Sequence, residues 1–102
     1  VYLPDIGSFE ALIEKSTGKT PEVNCGKPYT EMGDAIKRKL GLSGDEIMMC
    51  GDRLYTDIEF GAVNNIKTML VLSGETTKED YENSSTRASI VLDSLNDVVE
   101  YL

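Results

Sequence analysis

The sequence predicts an α/β domain built on a parallel sheet. Stretches with apolar residues three and four apart alternate with short, continuous apolar runs, the order expected of βαβ units. The runs Ile47-Met48-Met49-Cys50 and Thr68-Met69-Leu70-Val71-Leu72 show no polar alternation, as strands covered on both faces require. The first run also stops abruptly in Gly51-Asp52, and a second aspartate, Asp57, follows five positions later. Sheets of this kind place ligand-binding side chains at the carboxyl ends of their strands.

Each element has its own signal. Ser8 is placed to cap a first helix, with Phe9, Leu12 and Ile13 on its apolar face and Gly18 at its end. Pro21 to Gly26 reads as an extended link into Lys27-Pro28. A second helix is expected near Thr30 to Leu40, with Met32, Ile36 and Leu40 on one face and Gly41 closing it. After the strand at 47–50, Thr56 or Asp57 opens a helix through Ile58, Ala62 and Val63 that stops at Asn64-Asn65. Gly74 breaks the second strand, and Thr76 with Glu79 has capping-box spacing for a short helix. Ala88 to Leu92 is expected as a third strand. Ser94 then caps a closing helix with Leu95, Val98, Val99 and Leu102 inward. Right-handed crossovers between these elements give a three-layer sandwich. Three strands are fewer than a self-sufficient doubly wound sheet uses, so residues 1–102 are expected to form part of a domain.

Composition narrows the chemistry. With 40% hydrophobic and 27% charged residues the chain matches a water-soluble globular domain, and no apolar run approaches the length of a membrane span. Ten basic against eighteen acidic residues give a net charge of −8, which disfavours nucleic acid and anionic membrane surfaces as partners. There is no histidine, which removes imidazole catalysis and the usual zinc sites. Cys25 and Cys50 stand far apart in contexts typical of reduced thiols, and the opening residues carry no signal-like pattern, so a cytoplasmic location is expected. The methionines Met32, Met48, Met49 and Met69 fall on apolar faces and read as core.

Chemistry then rests on carboxylates, lysines and hydroxyls. Asp52 and Asp57 suit a hard cation such as Mg²⁺, which takes oxygen ligands, and with it phosphate chemistry. The ordinary alternative makes Asp52 a turn former and Asp57 or Thr56 a helix cap. The run Gly-Asp-Arg-x-x-Thr-Asp at a strand-loop-helix junction favours the functional reading, and Asp57 is able to do both jobs. Lys27, stiffened by Pro28 at a helix start, suits a phosphate or a cluster of carboxylates. Arg53 either pairs with a carboxylate or faces water. Ser73-Gly74-Glu75-Thr76-Thr77 lacks the ending of a P-loop and reads as an ordinary loop.

These residues carry a resemblance. Gly26-Lys27-Pro28, the helix after it, and Ile47 through Ile58 resemble the third and fourth motifs of the haloacid dehalogenase superfamily, and more closely its NagD-like, para-nitrophenyl phosphatase branch. Lys67 through Gly74 with Thr76-Thr77, and Gly7-Ser8-Phe9 with Thr17 to Pro21, fit the same branch, so the likeness covers essentially the whole chain. It implies a Rossmann-like core and a Mg²⁺-dependent phosphohydrolase that works through an aspartyl-phosphate on small phosphorylated molecules. By the same resemblance Asp52 ligates the metal. Asp57 supports the metal's water shell or holds Lys27, and Lys27 neutralises the nucleophile and phosphoryl oxygens.

One departure is large. The family's Asp-x-Asp nucleophile motif does not occur in the 102 residues, nor does the Ser/Thr of its second motif, and the substrate-selecting cap is missing. The chain is therefore expected to be the C-terminal half of the core, without phosphatase activity by itself. In the family the nucleophile strand lies beside the strand ending at Asp52, so self-association or pairing with a complementing N-terminal segment is expected. A non-catalytic remnant with at most weak Mg²⁺ affinity is the alternative. A signalling receiver domain, which also joins an acidic pocket to a Lys-Pro, fits poorly because Lys27-Pro28 here precedes the acidic strand.

Overall fold

The computed structural model describes residues 3–101. Helix α1 spans Ile6–Thr17 and helix α2 Thr30–Leu40. Strand β1 (Met48–Gly51) leads through a π-helical turn, Leu54–Ile58, into helix α3, Glu59–Asn64. Strand β2 (Lys67–Val71), helix α4 (Lys78–Asn83) and strand β3 (Ile90–Leu92) follow, and a 3-10 helix at Leu95–Tyr101 closes the described chain. The strands form one parallel sheet in the order β1-β2-β3. Met48 pairs with Lys67 and Gly51 with Leu70, while Met69 pairs with Ile90 and Val71 with Leu92. The predicted α/β class with a parallel sheet is the one observed.

The core sits where β2 meets α3. Ile58, Phe60 and Leu70 are 2% exposed or less, and Ile66, Met69 and Leu92 are also buried. Burying each large side chain of this kind stabilises a fold by about 1.5–3 kcal/mol. β2 is central because both its edges are paired. Thr68 is buried in it and exchanges bonds with Ser89 on the β3 side, its N–H donating to Ser89 Oγ and its Oγ1 accepting from Ser89 N–H.

Several expectations are corrected. Asp5, not Ser8, caps α1, its Oδ1 accepting from Ile6 N–H at 2.7 Å, and Gly18 ends the helix at φ 69° as predicted. No described residue of α1 is buried: Phe9, Leu12 and Ile13 all lie more than half exposed. On α2, Met32 and Leu40 are exposed and only Gly33 is buried, because α3 approaches at that glycine through Asn64.

Exposure alternates along β1, with Met48 and Cys50 on an uncovered face and Met49 and Gly51 half-buried on the other, so the expectation of burial on both faces fails there. Of the methionines only Met69 belongs to the buried core. The capping box lies one residue later than expected: Thr77 and Asp80 bond each other's backbone N–H, not Thr76 and Glu79. Thr76 is instead buried and donates its N–H to the Asp52 carbonyl at 3.1 Å. The closing segment is a 3-10 helix with Leu95 and Val99 exposed, and Leu102 lies outside the described residues.

Candidate active site

The site begins where β1 runs out of hydrogen-bonding partners. Gly51 must be glycine because a Cβ there would stand 2.3–2.4 Å from the side chain of Asp57. The chain then turns through Arg53 and enters the π-helical turn, in which Asp57 N–H donates to the Arg53 carbonyl at 3.0 Å. The side chain returns the bond: Asp57 Oδ2 accepts from Arg53 N–H at 3.2 Å. Asp57 is therefore not the cap that opens α3. It is buried inside the turn, and its second oxygen, Oδ1, accepts from Lys27 Nζ, thirty residues earlier in the chain.

Lys27 reaches this carboxylate from a separate loop, ahead of α2. Its peptide bond to Pro28 is cis. Tyr29 N–H donates to the Gly26 carbonyl at 3.0 Å, and the Tyr29 carbonyl accepts from Asn64 Nδ2 at 3.3 Å. Asn64, 2% exposed, also donates to the Phe60 carbonyl at 2.9 Å, so α3 carries both Asp57's turn and the tether of the lysine loop. Lys37 Nζ donates to the Asn64 carbonyl at 3.1 Å and ties α2 to the same point. Asn64 was legible in the sequence only as a helix stop.

Asp52, the residue after β1, is held by a second loop. Its Oδ2 accepts from Glu75 N–H at 2.8 Å, and Gly74 has no room for a side chain because a Cβ would fall 2.1 Å from that oxygen. The Glu75 carboxylate in turn meets Arg53 Nε at 2.6 Å and accepts from Tyr55 Oη at 2.8 Å. Glu75 accordingly raises the pKa of both partners, acting on Arg53 chiefly through its charge and on Tyr55 chiefly through the hydrogen bond. Of the two sequence alternatives for Arg53, pairing with a carboxylate is the observed one. Cys50, on the exposed edge, has its thiol pushed up by partial desolvation and then by the Asp57 charge, which keeps it from serving as a thiolate at neutral pH.

Of the three predicted residues, Lys27 and Asp57 are in direct contact and Asp52 is held separately at the strand end. Their donor chemistry fits Mg²⁺ as part of a shell. Mg²⁺ keeps several waters and takes only one or two carboxylates from a protein. Asp52 Oδ1 accepts no hydrogen bond among the described residues, whereas both oxygens of Asp57 are engaged. No group of three or more acidic or cysteine ligands comes together among the described residues, so the chain presents no complete cage.

Comparison with known proteins shows the family and the fold. A family model described as HAD-hydrolase-like matches residues 24–98. A solved 4-nitrophenylphosphatase from Thermotoga maritima superimposes with a TM-score of 0.85 at 42% identity, covering 96% of this chain and 38% of that one. The chloroplastic phosphoglycolate phosphatase 1A of Arabidopsis thaliana is 46% identical over 71 residues, 70% of this chain and 19% of the relative. A glycerol phosphate phosphatase from Mycobacterium tuberculosis, solved in complex with magnesium, matches at 26% identity and TM-score 0.76 over 94% of this chain and 29% of that one. The chain spans less than two fifths of the length of each of these proteins. Its three-stranded sheet and helices are the Rossmann-like arrangement of those structures.

Proposed function

This chain belongs to the haloacid dehalogenase superfamily, in its NagD-like, para-nitrophenyl phosphatase branch, and on that premise we propose that it supplies the lysine and metal half of a Mg²⁺-dependent phosphohydrolase core. One observation carries the reading: Lys27 and Asp57, thirty residues apart, are joined at the carboxyl end of β1, the strand that Asp52 directly follows. A buried carboxylate that shares an ammonium and a backbone N–H holds that ammonium in a fixed place. Lys27 keeps further N–H donors beyond the one given to Asp57, and with its side chain 44% exposed they serve an anionic ligand.

In this reading Asp52 ligates Mg²⁺ through its unengaged oxygen, and Asp57 steadies Lys27 and the metal's waters. Lys27 offsets charge on phosphoryl oxygens and nucleophile. The metal, when bound, contributes charge neutralisation at the phosphoryl group. The aspartyl-phosphate of this reaction class needs an Asp-x-Asp nucleophile, which the 102 residues do not contain, so a complementing segment is part of the proposal and the chain by itself is inactive. Substrates are small phosphorylated metabolites, sugar or nucleotide phosphates, in keeping with the phosphoglycolate and glycerol phosphate phosphatases it resembles. A cytoplasmic location belongs to the same proposal, supported by the unpaired Cys25 and Cys50.

Calorimetric titration with Mg²⁺ tests the metal assignment: binding is expected in the chain and lost in Asp52→Asn, and equal heats in both overturn it. Mg²⁺-dependent turnover of para-nitrophenyl phosphate by the pure chain, above that of Asp52→Asn, overturns the expectation of inactivity. Absence of both binding and turnover favours the non-catalytic remnant.

A further inference from the structure

The loop after β2 makes more bonds to the strand-end motif than an ordinary loop requires. Glu75 touches it at three points: its N–H on Asp52 Oδ2 at 2.8 Å, and its carboxylate on Arg53 Nε at 2.6 Å and Tyr55 Oη at 2.8 Å. Arg53 and Tyr55 both follow Asp52 closely in sequence, at the entry to the π-helical turn. The adjacent Thr76 N–H donates to the Asp52 carbonyl at 3.1 Å, so both backbone and side chain of Asp52 are gripped from this loop. Gly74 admits the approach by lacking a Cβ.

We propose that Glu75 is a positioning residue for Asp52. Its carboxylate, clamped between Arg53 and Tyr55, fixes the peptide plane whose N–H holds Asp52 Oδ2, and this leaves Oδ1 as the oxygen presented to a ligand. A carboxylate with one oxygen hydrogen-bonded has its orientation set before a cation arrives, which is how groups behind a ligand tune a metal site. Glu75 is exposed, and its two side-chain bonds are surface bonds that contribute little to overall stability. Their function is local orientation. The consequence for Mg²⁺ rests on the metal role proposed above for Asp52; the consequence for the Glu75 amide does not.

The test compares the chain with Glu75→Ala, Tyr55→Phe and Asp52→Asn. In metal-free protein, NMR is expected to show the residue-75 amide protected from exchange. Exchange becomes about tenfold faster in Glu75→Ala, by a smaller factor in Tyr55→Phe, with the thermal transition unmoved. Unchanged amide exchange in Glu75→Ala overturns the proposal whatever the metal does. Calorimetry with Mg²⁺ alone is expected to give a roughly tenfold weaker affinity in Glu75→Ala, against complete loss in Asp52→Asn. Equal affinity in Glu75→Ala and the unaltered chain, with loss in Asp52→Asn, overturns the positioning role and leaves the metal assignment standing. Faster amide exchange without Mg²⁺ binding in any form supports the clamp and overturns the metal assignment instead.

Discussion

Helix α1 and the β1–α3–β2 unit both carry apolar residues at the spacing their secondary structure calls for, yet they end in opposite environments. Phe9, Leu12 and Ile13 on α1 are 56%, 64% and 57% exposed, while Ile58, Phe60 and Leu70 in the other unit are 2% exposed or less. The local signals of α1 are good: a side-chain cap at Asp5 and a left-handed Gly18. Caps and periodicity suffice to define a helix; only a partner surface turns its stripe into core. The buried unit has one because β2 is paired on both sides and α3 lies against it.

This contrast is open to direct attack. The largest effect is expected from Phe60→Ala, which removes a buried ring at the centre of the packed unit. It should cost about 3–5 kcal/mol and abolish the cooperative urea transition of so small a fold. Gly51→Ala is expected next, at about 1–3 kcal/mol, because the new Cβ displaces Asp57 and with it the bond to Lys27. Loss of the Lys27–Asp57 contact, followed by NMR of the lysine ammonium, separates this from simple crowding. Leu12→Ser with Ile13→Ser on α1 should shift stability by only about 0.5 kcal/mol, while reducing self-association in sedimentation velocity. A monodisperse monomer before substitution would count against that exposed stripe as an adhesive surface.

The smallest effect concerns acid. Hydrogen bonds from Thr77 hold the Asp80 carboxyl below its usual range, and bonds from Ser43, which caps a 3-10 helix at Gly44–Glu46, do the same for Glu46. Because the folded values are depressed, what these caps contribute is fully present at neutral pH. It is lost as pH falls below about 4, through the carboxylate range and on through the lowered values. The protection factor of the Thr77 amide, its exchange rate relative to an unstructured amide at the same pH, should fall there before the far-UV dichroism of the whole chain changes.

Legibility in the sequence followed the range of the interaction. Helix ends set by neighbours in the chain, such as Gly18 and Gly41, fall where their residues predict. Parallel pairing of the two main apolar runs was also readable, since continuous apolar strands and helical connections allow little else. Burial was not. Met48, Cys50 and the face of α2 are exposed because of what lies beside them, and local pattern carries no information about neighbours. In the site, the resemblance left Asp57 either supporting the metal's water shell or holding Lys27, and the contact with Lys27 is present. Glu75 and Asn64 were missed, since their bonds reach 23 and 35 residues along the chain and their residue types are ordinary for a loop and a helix end.

The π-helical turn after β1 acts as a length standard. Arg53 and Asp57 close a ring in which backbone and side chain bond each other in both directions. Leu54, Tyr55 and Thr56 lend that ring only backbone atoms, so their side chains do not set its size. Their number is not free. Removing one would swing the second aspartate about 100° around the axis, away from the lysine loop, and adding one would overshoot it. Surveys of variants should therefore find the ring indifferent to the side chain at 54, and insertions or deletions between 53 and 57 accompanied by loss of the Lys27 contact.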